Sequence, residues 1–65
     1  MEVAKKYLVF AWHLGIVAHF VEDFAAENDQ EARRIFREIK RRPEYEWEDL
    51  TLWSTEKGIP IDFIP

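Results

Sequence analysis

The chain divides by how its apolar positions recur. From Tyr7 to Val21 there are 15 residues without a formal charge, "YLVFAWHLGIVAHFV". Apolar side chains fall on both faces of this run whichever period is imposed, so periodicity does not separate a helix from two strands. As a helix it would be apolar all round, with β-branched residues and a glycine inside. As two strands, 6–13 and 17–24, it breaks at Leu14-Gly15-Ile16, and its valines, isoleucine and aromatics suit a pleated surface. The β-rich composition and the central glycine favour a hairpin over residues 6–24.

Beyond it the pattern changes to a helical period. Ala32, Ile35, Phe36 and Ile39 stand at i, i+3, i+4 and i+7, a single apolar stripe. Asn28 followed by Glu31 has the spacing of a capping box. Asp29 and Glu31 lie in the first turn and Lys40, Arg41 and Arg42 in the last, each matching the helix dipole. Pro43 disfavours helical geometry at Arg42. A helix over 29–42 is predicted.

After Pro43 the period becomes two. In "WEDLTLW", Leu50 and Leu52 are expected on one side, with Trp47, Thr51 and Trp53 on the other. "STEKG" reads as a hairpin loop with Gly58 at positive φ. "IPIDFI" alternates again, with Ile59, Ile61 and Phe63 on one side and Pro60 and Asp62 on the other. Pro60 lacks an N–H, which places this strand at a sheet edge. Residues 46–64 therefore read as a second hairpin. The predicted architecture is α+β: one domain over 1–65, ordered β-β-α-β-β, with a four-stranded, mostly antiparallel sheet and the helix on one face.

This arrangement raises a difficulty of cover. One helix shields one face, yet the first hairpin is apolar on both: Tyr7, Val9 and Ala11 lie on one side, Leu8, Phe10 and Trp12 on the other. If the leucines of the third strand meet the helix, its tryptophans are left uncovered. Contiguous apolar faces normally mark interaction sites.

Composition sharpens the problem. Sixty-five residues with no cysteine exclude disulfides and thiolate metal sites. Small folds without such staples commonly use oligomerisation, so another copy of the chain is the expected cover. The load of three tryptophans, two tyrosines and five phenylalanines provides the contact area. The uncharged run is shorter than the ~20 residues a membrane helix needs, and no small-residue cleavage site closes it. The expectation is an unprocessed cytoplasmic protein without a membrane role.

A net charge of −4 argues against general nucleic-acid binding, but the charge is unevenly spread. Arg33 to Arg42 holds six basic residues against Glu38, while "EYEWED", residues 44–49, holds four acids and no base. Arg33, Arg37 and Arg41 recur every four residues, a stripe suited to phosphates or carboxylates, though a solvated helix face is the first reading of it. Trp12, Tyr45, Trp47 and Trp53 offer stacking surfaces for planar ligands, though aromatics in so small a domain are more often core or oligomer anchors. Acid–base chemistry has one start: His19 and Asp23, four apart in a strand, would share a face. No metal-ligand spacing, cofactor motif or phosphate loop is present.

The order "KKYLVFAW", "HFVEDFAAENDQEAR" and "WEDLTLWSTEKGIPI" resembles small uncharacterised phage proteins. Those run as a Tyr-Leu-Val-Phe-Ala strand, a strand ending in Asp-Phe, a Glu/Ala-rich helix, then a strand and a Thr-x-x-Gly turn. The resemblance covers most of the chain and contains no catalytic motif, and "HLGIVA" departs from the Gly-Gly-rich first turn of such proteins. Some small phage proteins of this kind counter bacterial defences, including by sequestering nucleotide signals. The expected function is therefore a non-enzymatic homo-oligomeric binder that sequesters or blocks an anionic nucleotide-like ligand or a host protein. The alternatives are an assembly subunit and a small enzyme built on His19 and Asp23.

Overall fold

The computed structural model describes residues 4–13 and 16–65. Strand β1 (Lys5–His13) turns into β2 (Val17–Ala26), helix α1 (Asp29–Lys40) follows, and a short 3₁₀ turn (Pro43–Tyr45) leads to β3 (Asp49–Ser54) and β4 (Ile59–Ile64). All strand pairings are antiparallel, in the order β2-β1-β3-β4. The fold is α+β with the predicted element order. The glycine of the first predicted turn lies outside the described residues.

Helix α1 starts where its cap is written. The Asn28 side chain accepts from the Glu31 N–H at 2.8 Å, satisfying one of the donors a helix start leaves free. Glu31 returns the contact to the N–H of Glu27 rather than to Asn28 itself. At the far end, Arg41 N–H bonds to Glu38 O and Arg42 N–H to Ile39 O, tightening the last turn. The helix closes at Lys40, two residues before the predicted end, because Arg42 already takes the extended conformation (ψ 141°) that a following proline imposes.

The core forms between α1 and one side of the sheet. Tyr7, Val9 and Ala11 of β1 and Leu50 and Leu52 of β3 are fully buried there with Ala26, Ala32, Phe36 and Ile39. The two leucines meet the helix as their alternation predicts. Ile35, at the margin of the stripe, is half-buried.

Two β-bulges redistribute side chains that simple alternation would place otherwise. Val9 faces Glu22 while the next residue, Phe10, faces Phe20, so Val21 is the extra residue of β2 and packs against the core. In β4, Leu52 faces Asp62 and Trp53 faces Pro60, leaving Ile61 as the extra residue. Each bulge resets the alternation beyond it. Asp62 therefore comes to the helix side and Phe63 to the opposite side, reversing the places expected for them relative to Ile59. Likewise His19 lies across from Ala11 on the helix side, and Asp23 across from Leu8 on the other. The predicted sharing of a face by His19 and Asp23 is overturned.

Trp47 also departs from expectation. Strand β3 begins only at Asp49, and Trp47 stands 91% exposed in the preceding turn. Three i→i+3 bonds, Tyr45 to Arg42, Glu46 to Pro43 and Glu48 to Tyr45, coil residues 42–48 instead of extending them. The Lys40 ammonium fixes this coil by donating to the carbonyls of Tyr45 (2.7 Å) and Glu46 (3.3 Å).

The β3–β4 turn follows its sequence. Gly58 has φ 69° and donates to Ser54 O at 2.8 Å. A Cβ placed at Gly58 would meet nothing within 4 Å, so the cost of a side chain is conformational alone. Gly58→Ala should destabilise by about 1–2 kcal/mol, lowering the thermal midpoint by roughly 4–8 °C per kcal/mol for a domain of this size. A melt unchanged by Gly58→Ala would contradict the left-handed turn.

Candidate functional site

The side of the sheet away from α1 carries an aromatic surface, built in three rows by strand register. The middle row crosses all four strands: Phe20 on β2, Phe10 on β1, Thr51 on β3 and Phe63 on β4. To one side run Leu8, Trp53 and Pro60, and to the other Ala18 and Trp12. Phe10 is the hub. Its ring meets Phe20 and Trp53 edge-on, each with centroids 6.1 Å apart, the geometry that the ring quadrupoles favour.

Trp12 is held in place by a polar contact. Its indole N–H donates to Thr51 Oγ1 at 2.5 Å, and Thr51 is only 6% exposed. The indole plane is thus fixed over β3 before any partner arrives, which lowers the ordering cost of binding. Phe20 and Phe63 remain 52% and 53% exposed. Among the described residues charge is confined to the margins: Lys6 pairs with Asp23 at 3.2 Å at one end, and Asp49 stands opposite Trp12 at the other. An apolar centre with a charged rim is the usual anatomy of a protein-binding patch.

The residues singled out from sequence do not converge on one site. Trp12 and Trp53 belong to this face, whereas Trp47 is isolated in its turn. Tyr45 is occupied: its hydroxyl donates to Glu22 at 3.0 Å, and Arg42 donates to the same carboxylate oxygen at 2.7 Å. Burial, helped by the Glu22 hydrogen bond, raises the Tyr45 pKa, so the phenol remains a donor. Arg33 turns toward β4 and reaches the Ile61 carbonyl at 3.4 Å. Arg37 and Arg41 instead line a shallow depression on the outer face of α1 with Arg34, but Glu31 and Glu38 line it too. Compensated charge of this kind is ordinary for a solvated helix. Within one chain, the arginines and the aromatic face lie on opposite sides of the sheet.

Three aromatic members of the face have no binding role in the sequence reading, which places only Phe10 on the uncovered side: Phe10, Phe20 and Phe63. The alternation of Leu8, Phe10 and Trp12 was a usable signal for the first. Phe20 and Phe63 each sit beside a bulge, which hides their face from a period-two reading.

Among the described residues there is no group of three or more His, Asp or Glu side chains positioned to hold a metal ion, and no helix long and apolar enough to cross a membrane. No family model, curated protein or solved structure matches the chain.

Proposed function

We propose that this chain is a non-enzymatic binding protein that sequesters or blocks a target protein, using the aromatic side of its sheet, and works as a homo-oligomer. The observation that supports this reading is the row Phe20–Phe10–Thr51–Phe63 with Trp12 and Trp53 beside it: a wide apolar surface with no described element of the chain above it. A protein target fits better than an anionic small ligand, because the face has no basic group at its centre. The helix arginines that would serve such a ligand are turned away from it and interleaved with glutamates. Within the phage-like context that the sequence resembles, the target is a host protein.

The test is stoichiometric capture. The folded protein is incubated with host protein fractions and, separately, with anionic nucleotides, then released under denaturing conditions. A binder returns one protein partner, chemically intact and at fixed ratio. Phe20→Glu combined with Phe63→Glu should weaken capture by about tenfold or more, since aromatic hot spots contribute ~2 kcal/mol or more. Arg37→Glu with Arg41→Glu should leave it unchanged. Capture lost with the arginine pair and kept with the phenylalanine pair would replace the protein target by an anionic ligand. Turnover of any bound molecule would replace the binding reading altogether.

A further inference from the structure

The two edges of the sheet are guarded differently. Edge strands present unpaired N–H and C=O groups and are normally blunted by proline, bulges or charge. Strand β4 has all three devices: Pro60, the bulge at Ile61, and Asp62. The second half of β2 is similarly protected by the bulge at Val21 and by Glu22 and Asp23. The first half is not. Val17, Ala18, His19 and Phe20 are all exposed, carry no carboxylate, lysine or arginine, and pair with β1 without irregularity. Ile16, just before them, is 79% exposed.

We infer that residues 16–20 of β2 pair antiparallel with the same residues of a second copy, about a twofold axis through Ala18, to give a continuous eight-stranded sheet. This deepens the homo-oligomer part of the proposed function and rests on it. The occupant is a second copy because the segment is complementary to itself. A twofold axis normal to the sheet keeps both helices on one side and must pass through a residue, so that like faces meet. An axis through Ala18 sets the small residue against itself, Val17 against His19, and Ile16 against Phe20. These two exposed apolar side chains then pack flank to flank across the seam, with the outward surface of Phe20 still on the aromatic face. The next possible axis, through His19, would bring two imidazoles face to face and draw the bulged Val21 into the ladder.

Charge agrees with this register. Glu22 and Asp23 lie beyond the paired stretch in both copies, so the acids of one never face those of the other. The contact is isologous and closed, which ends further growth along this edge. It is also short: five residues a side give an interface at the small end of the range, so association is expected to be micromolar. The consequence for function is geometric. Both aromatic faces point the same way, side by side, and a target with two equivalent surfaces is held at both, with the gain in avidity that linked sites provide.

The chain has no cysteine, which makes a direct experiment clean. Ala18→Cys should oxidise to a disulfide-linked dimer, because facing residues of an antiparallel pair have Cα atoms about 4.5–5.5 Å apart, within disulfide reach. Ile59→Cys, also exposed and on the guarded edge, should remain unlinked. Sedimentation of the parent protein should show dimer at high micromolar chain, and Ala18→Glu and Ala18→Lys should each sediment as monomers. Mixing those two variants should restore the dimer, since opposite charges then face each other at the axis. A parent protein that stays monomeric, or a dimer that persists in Ala18→Glu with Ala18→Cys unlinked, would overturn the inference. Failure of this dimer is separable from failure of the proposed function. A monomer that captures its target through Phe20 and Phe63 retains the capture part of that function and loses its homo-oligomer part, whereas a dimer linked through Ala18 that captures nothing retains the dimer alone.

Discussion

Phe36→Asp is expected to leave no folded protein at room temperature. Phe36 is fully buried at the centre of the helix–sheet contact, with Ala32 and Ile39 on its own helix and Val9, Leu50 and Leu52 among the core residues of the sheet. Truncating a buried phenylalanine costs about 3–5 kcal/mol by lost burial and the cavity left behind. A carboxylate in its place adds the cost of an unpaired buried charge, several kcal/mol more, or of its protonation. Total stability at ~0.05–0.15 kcal/mol per residue leaves a domain of this length only about 3–10 kcal/mol, so the loss exceeds or equals what is available. Circular dichroism should show a disordered spectrum with no cooperative melt. Arg34→Ala, on the exposed side of the same helix, should stay within about 0.5 kcal/mol of the parent. A cooperative Phe36→Asp melt within a few degrees of the parent would mean that α1 presents another face to the sheet.

Features set by neighbouring residues were legible in the sequence. The Asn28/Glu31 cap, the stripe Ala32–Phe36–Ile39 and the turn glycine at 58 each depend on contacts within a few positions and appear where their signals stand, and the stop before Pro43 falls two residues early. The alternation of β1, and of Leu50 and Leu52, gave the core side of the central strands. What was not legible depends on partners distant in the chain. A bulge is a property of the ladder, not of the strand. Nothing in "HFVED" or "IPIDF" declares that Val21 and Ile61 are extra residues, yet those two positions decide the faces of His19, Asp23, Asp62 and Phe63. Trp47 was misplaced because its alternation with Leu50 and Leu52 is overridden by turn bonds and by the Lys40 ammonium. The aromatic face was therefore half visible: Trp12 and Trp53 followed from period two, while Phe20 and Phe63 required the register.

The same distance in sequence separates the partners of the polar contact that fixes the start of the helix on the sheet. Asp29→Ala is expected to cost about 1–4 kcal/mol, the sum of a stranded phenol and a lost helix-end charge. The Tyr7 hydroxyl donates to Asp29 Oδ1 at 2.7 Å across 22 residues, and Lys57, from the β3–β4 turn, donates to Oδ2. One carboxylate thus joins β1, the first turn of α1 and the second hairpin. Tyr7 is fully buried, so removing its acceptor strands a phenol, at about 1–3 kcal/mol. The carboxylate also sits at the positive end of the helix dipole, a further ~0.3–1 kcal/mol. The pair with half-exposed Lys57 adds no more than about 1 kcal/mol because solvent screens it.

Both ionisations register this contact. Hydrogen bonds from Lys57 and then Tyr7 hold the Asp29 pKa below the usual carboxylate value. Burial, and then the Asp29 hydrogen bond, push Tyr7 up to about 12. A depressed carboxylate stabilises the fold above its unfolded pKa and loses that contribution as pH falls through the folded one. A raised phenol stabilises below its unfolded pKa, near 10, and loses its contribution as pH rises toward 12. Parent stability should therefore decline at both extremes, and Asp29→Ala should flatten the acid limb. Tyr7→Phe should flatten the alkaline limb, leaving the share of Tyr45, whose pKa is also raised, and it keeps the Lys57 pair intact, at a cost of about 1 kcal/mol. Combining the two changes should cost less than their sum, since Tyr7→Phe leaves no hydroxyl for Asp29→Ala to strand. Strict additivity of the two, measured by urea unfolding, would mean that the tyrosine and the aspartate are not bonded in solution.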